Sequence, residues 1–106
     1  MDIYQSAQLD ALGDATRRAI LARLVTDGPM AVGELARDFP MSRPAISQHL
    51  RVLKRANLVT DSAAGTRRLY AVNPEAMASL RAFFDRFWLH ALAAYKKRVE
   101  DNVKKR

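Results

Sequence analysis

The chain has 106 residues, 49% of them hydrophobic, with 18 Lys and Arg against 11 Asp and Glu and a formal charge of +7, which suits one modest core and excludes two independent domains. It has no cysteine, so disulfides, thiolate metal ligands and cysteine nucleophiles are excluded together. The basic balance favours polyanionic partners, and with neither a signal-like N-terminus nor an apolar run near the roughly 18 residues of a membrane span, a cytoplasmic protein is expected.

Ile3, Tyr4, Leu9 and Leu12 are loosely helical in spacing and Gly13 ends the run, giving a short first helix. Asp14 suits the N-cap of a second helix from Ala15 to about Thr26, with Ala19, Ile20, Leu24 and Val25 as its inner stripe. Arg17 and Arg18 fall in its first turn, where the helix dipole disfavours cations, so they should answer to a carboxylate or a phosphate. A third helix is expected over 32–39, with Val32, Leu35, Ala36 and Phe39 inward, and Pro40 and Met41 connect it tightly to Ser42.

The stretch from Ser42 to Arg55 has the clearest pattern. Read as a helix, it puts Ile46, Leu50 and Leu53 on one stripe and Pro44, Ser47, Gln48, Arg51 and Arg55 on the other side. Ser42 is an N-cap, Pro44 lies in the first turn where its missing N–H costs nothing, and Lys54 and Arg55 suit the C-terminal end of the dipole. At about 1.5 Å per residue this helix is roughly 20 Å long, a size that fits the B-DNA major groove. Two helices joined so closely, the second with a polar outer face, have the layout of a helix-turn-helix. His49 sits at the edge of the apolar stripe, suited to packing or to a phosphate contact.

Asn57 can supply a left-handed residue at the helix end. Residues 58–62 and 67–72 are β-prone, and Gly65 between them can take positive φ, so a hairpin follows. Arg68, Tyr70 and Val72 share one face of its second strand and Arg67, Leu69 and Ala71 the other. A basic hairpin directly after a recognition helix is a wing, expected on the phosphate backbone or in the minor groove.

Asn73 and Pro74 end the strand and open a long helix over 75–100. Met77, Leu80, Phe83, Phe84, Phe87, Trp88, Ala91, Leu92 and Tyr95 form a stripe wider than a small domain covers. The expected cover is a second copy, with Ile3, Tyr4, Leu80, Phe84, Phe87, Trp88, Leu92 and Tyr95 in the interface; the alternative is a helix folded back over its own core. The basic residues between Lys96 and Arg106 form either a solvated end or a binding element.

No catalytic constellation is present. His49 and His90 are the only histidines, neither has a carboxylate at metal-binding helical spacing, and no nucleophile elbow or glycine-rich phosphate loop occurs. No enzyme, cofactor or metal site is expected.

The runs LGDATRRAILARL, VGELARDFPMSRPAISQHLRVLKRANLV and GTRRLYAVNP resemble the ArsR family of winged-helix bacterial repressors, in the family's order over residues 9–74. LRAFFDRFWLHALAAY is similar to the last helix of a cysteine-free branch often encoded beside START-like, hydrophobic-ligand-binding proteins. The resemblance implies a homodimer that binds a near-palindromic operator and represses transcription, frequently of its own operon. It puts base reading at Arg43, Pro44, Ser47 and Gln48, with Ser42 and Arg51 at or near phosphates and bases and Arg67 and Arg68 in the wing. Metal-sensing relatives carry third-helix cysteines where this chain has Ala31 and Gly33, and His90 lacks the partners of their last-helix site, so metal sensing is not expected.

The expected architecture is therefore mainly α with a β-hairpin, in the order α-α-α-α-β-β-α, as one winged-helix domain over 1–106. Its segments are dimerisation helices at 1–13 and 75–100, a helix-turn-helix at 32–56, a wing at 58–72 and a basic tail at 101–106. A winged helix used for protein–protein assembly and a non-specific DNA binder are the competing functions.

Overall fold

In a computed structural model of the protein, residues 3–104 are described, with side chains from Gln5 onward. The elements are α1 (Ile3–Ala11), α2 (Ala15–Asp27), β1 (Met30–Ala31), α3 (Val32–Arg37), α4 (Arg43–Arg55), β2 (Val59–Ala64), β3 (Arg67–Val72) and α5 (Pro74–Lys104). The three strands form one antiparallel sheet in the order β1-β3-β2. The mainly helical winged architecture is as expected. The hairpin also gains a third strand, because Met30 and Ala31 pair with Tyr70 and Leu69.

The core lies where α2, α3 and α4 meet the sheet and the first turns of α5. Ile20, Leu35, Ile46, Leu50, Leu53 and Leu58 are fully buried, and burial of such side chains contributes about 1.5–3 kcal/mol each before chain entropy is counted. In α2 the buried residues are Ile20, Leu21 and Leu24. Ala19 and Val25, expected inward, face solvent, so the inner stripe is rotated toward Leu21.

Helix ends explain several connections. The Asp14 carboxylate accepts the Arg17 N–H at 2.9 Å and caps α2. Arg17 donates through Nε to the Ala11 carbonyl and Arg18 through Nη1 to the Leu12 carbonyl, both at 2.7 Å. The partners that their position demanded are thus the partly negative carbonyl oxygens at the end of α1, with the Asp14 carboxylate, the kind of partner expected, also attracting Arg17. Pro40, its φ fixed near −65°, is central in a three-residue turn closed by the Met41 N–H on the Phe39 carbonyl at 2.8 Å. Helix α3 stops at Arg37, short of the expected 39, and this turn redirects the chain into α4.

Helix α5 is unbroken for 31 residues, four beyond the expected end, and the molecule is 69 Å in its longest dimension. Asn73 accepts the Glu75 N–H at 3.1 Å and donates through its amide to the Asn57 carbonyl at 3.0 Å, fixing the start of α5 to the end of α4. Only Ala76 and Leu80 of α5 are buried, and Phe84, Phe87, Trp88, Leu92 and Tyr95 are exposed. Leu80, expected in the interface between copies, belongs to the monomer core. Among the described residues, no back-folded helix covers the stripe. Ile3 and Tyr4 lie outside the residues whose side chains are described. On α1 the best-buried side chains facing inward include Gln5 and Gln8, and Gln5 donates to the Ser79 hydroxyl of α5 at 3.4 Å.

Candidate nucleic-acid interface

Helix α4 is built as its sequence dictates. Ser42, extended at φ −71° and ψ 161°, accepts the Ala45 N–H at 3.3 Å, and Pro44 occupies the first turn. At the other end Asn57 takes φ 64°, Leu58 donates to the Leu53 carbonyl and Asn57 to the Lys54 carbonyl, each at 2.9 Å. This pair of bonds is a Schellman motif, with Leu53 and Leu58 as its apolar contact. The inner stripe of Ile46, Leu50 and Leu53 anchors the helix against the core, which leaves the opposite face on the molecular surface.

On that face Arg43, Pro44, Gln48 and Arg51 are exposed, while Ser47 is half-buried at the margin. The Arg51 guanidinium donates to the Gln48 side-chain oxygen at 3.3 Å, so the two candidate readers are in contact. Arg43 lies back across the first turn of α3. A Cβ on Gly33 would sit 3.0 Å from its Nη2, so this glycine leaves the room that the guanidinium occupies. His49 is half-buried, with Nδ1 3.8 Å from the Asp14 carboxylate. That carboxyl is held below its ordinary value, chiefly by the Arg17 N–H, with Arg17 and His49 adding to the effect against desolvation.

The wing projects beside α4. Ala64 pairs with Arg67 across a two-residue turn, in which Gly65 takes φ 66°, as a tight hairpin requires at its first central position. Arg67 and Arg68 are both exposed, but both carry carboxylate partners. Arg67 pairs with Glu34 of α3. Arg68 donates through Nε to Asp61 at 2.6 Å, and Lys54 of α4 pairs with the other oxygen of the same carboxylate at 2.7 Å. Sequence reasoning missed Glu34, Lys54 and Asp61. The signal was a lone acid in a basic hairpin, legible once register sets Asp61 opposite Tyr70 and therefore diagonal to Arg68.

A groove-sized helix with uncharged hydrogen-bonding groups amid arginines, flanked by a basic hairpin, defines a DNA-binding winged helix-turn-helix protein. Residues 12–61 match the family described as a helix-turn-helix domain. The chain is 59% identical over 102 residues to the HTH-type transcriptional regulator Rv2034 of Mycobacterium tuberculosis, covering 94% of each chain. Among solved structures it is similar to an ArsR-like transcriptional regulator from Rhodococcus sp. RHA1, with a TM-score of 0.75, 29% identity and coverage of 89% and 91% of the two chains. It is also similar to a homodimeric winged helix-turn-helix DNA-binding domain of a possible ArsR-family regulator from Mycobacterium bovis, with a TM-score of 0.67, 30% identity and coverage of 79% and 77%. The chain belongs to the ArsR family of winged helix-turn-helix transcriptional regulators, a non-enzymatic family.

Proposed function

We propose that the protein is a sequence-specific transcriptional repressor acting as a homodimer on a near-palindromic operator, its own promoter included. The observation that carries this reading is the outer face of α4, where Arg43, Pro44, Ser47, Gln48 and Arg51 surround a surface of groove size while the other face is fully committed to the core. Gln48 is suited to bond adenine, Arg43 and Arg51 to guanine or phosphate, and Pro44 to a thymine methyl. Ser42 at the helix N-terminus and Arg67 and Arg68 in the wing are suited to phosphates.

The dimer follows from α5. Phe84, Phe87, Trp88, Leu92 and Tyr95 form an exposed apolar row that one chain leaves uncovered, and the similar Mycobacterium bovis domain is homodimeric. A second copy there would hold two recognition helices for successive major grooves, about 34 Å apart, and repression would be occlusion of the promoter. Such a protein acts on cytoplasmic DNA; no described helix is long and apolar enough to cross a membrane.

Metal sensing through α3 does not fit this chain, since Ala31 and Gly33 offer no ligand atoms in their side chains and the Arg43 guanidinium fills the space beside Gly33. The similarity of LRAFFDRFWLHALAAY to the cysteine-free branch supports an operon shared with a START-like protein.

The test is a gel-shift series with a duplex enriched by the protein from a random pool and with its scrambled version. Tight binding to the first alone is expected, with Gln48→Ala losing about 1–3 kcal/mol at particular base pairs. Equal binding of both duplexes at physiological salt contradicts sequence recognition, and no binding of either leaves the protein–protein reading.

A further inference from the structure

Asp61 is the most enclosed carboxylate near the wing. Its side chain is 8% exposed, whereas those of Lys54 and Arg68 are 52% and 59% exposed. Each oxygen takes one cation, Oδ1 from Lys54 at 2.7 Å and Oδ2 from Arg68 at 2.6 Å. The acid therefore lies behind two cations that face solvent, one on the last turn of α4 and the other on β3. Backbone connectivity reinforces the arrangement. The Schellman turn leads directly from Lys54 into β2, and the β2–β3 ladder places Asp61 on the face that carries Arg68 and Tyr70. By contrast, the Glu34 to Arg67 pair is exposed on both sides, and solvent and salt weaken such a contact.

We propose that Asp61 is a positioning residue that locks the wing to the end of the recognition helix, presenting Lys54 and Arg68 to DNA in one fixed geometry. The inference rests on the DNA-binding function proposed above. A cation free to rotate follows any phosphate and favours all sequences equally. A cation tied to an enclosed carboxylate meets the backbone well only when the helix is seated at the register that lets its readers reach their bases. Arg68 can do both, because its Nε is used by Asp61 and its Nη atoms carry further donors. Asp61 thus lowers affinity for arbitrary DNA and preserves it for the site that fits.

Asp61→Asn keeps the shape and removes the charge. Affinities of wild type and variant are measured from 50 to 200 mM salt, on the pool-enriched duplex and on its scrambled version, with thermal melts giving the folded fraction. The expected result is tighter scrambled binding with a salt slope steeper by about one, and a preference for the enriched duplex reduced about tenfold. In a Lys54→Met background the same change should have a clearly smaller effect, since one of its two partners is gone. An unchanged preference overturns the proposal, as does an equal loss on both duplexes, which is what mere unfolding produces. If the wild type enriches no sequence from the pool, the proposed function fails first and visibly, and this inference falls with it.

Discussion

Replacing Trp88 with alanine should dissociate the protein without unfolding its chain. Trp88 is 63% exposed in the monomer and lies two turns beyond Leu80, the last buried residue of α5. A tryptophan offers up to about 250 Å², so about 160 Å² of it remains for a partner to cover. If a second copy covers half of that, about 80 Å² at 25 cal/mol per Å² contributes about 2 kcal/mol per chain and about 4 kcal/mol per dimer. That corresponds to a dimer dissociation constant weaker by about a thousandfold. Sedimentation equilibrium over a dilution series would read the constant, and far-UV circular dichroism would check that the helices persist. The wild type should also melt at a temperature that rises with its concentration, because association stabilises only folded chains. A monomeric wild type at micromolar concentration, or a Trp88→Ala protein that dimerises as tightly as its parent, would refute the assignment of α5 to the interface.

Other consequences are equally measurable. Asn73→Ala removes the α5 cap and the bond to the Asn57 carbonyl, and should cost about 1–2 kcal/mol in chemical denaturation; no loss would mean that the junction of α4 and α5 is held elsewhere. Gly33→Ala should leave stability nearly unchanged, since the group in its way is the movable end of Arg43, yet it should alter base preference; unchanged preference would remove Arg43 from the readers. Asp14 and Asp61 both titrate below the ordinary value of 3.8, Asp61 through its bonds from Lys54 and then Arg68. Folded values below the unfolded ones mean that their stabilisation is complete above that ordinary value and is lost as pH falls through the lower folded values. Melting temperature should therefore fall as pH drops below about 4, less steeply in Asp61→Asn, and an acid-independent melt would contradict these contacts.

What the sequence made legible was local. Helix α4 shows its apolar stripe, its Ser42 cap and its Asn57 stop within one short segment, so each feature could be read without knowing what packs against it. The features that escaped depend on distant partners. Strand β1 is two residues long, too short for any periodicity, and exists because β3 offers it a ladder. Arg17 and Arg18 announced a need for negative potential but not its source, since only the fold brings the carbonyl end of α1 to them. The carboxylate partners of Arg67 and Arg68 required strand register and the approach of α3. On α5 the apolar stripe was visible throughout, but where the core ended and the exposed row began, just past Leu80 and Phe83, was set by the size of the domain beneath it.

The most direct measurement for the whole account is nuclease protection of the DNA upstream of the protein's own gene. Two protected half-sites related by dyad symmetry, their centres about 10 bp or a multiple of that spacing apart, are predicted, with protection lost in Gln48→Ala and in Trp88→Ala. Uniform protection of any fragment, or a single half-site bound as well by Trp88→Ala as by the wild type, would contradict it.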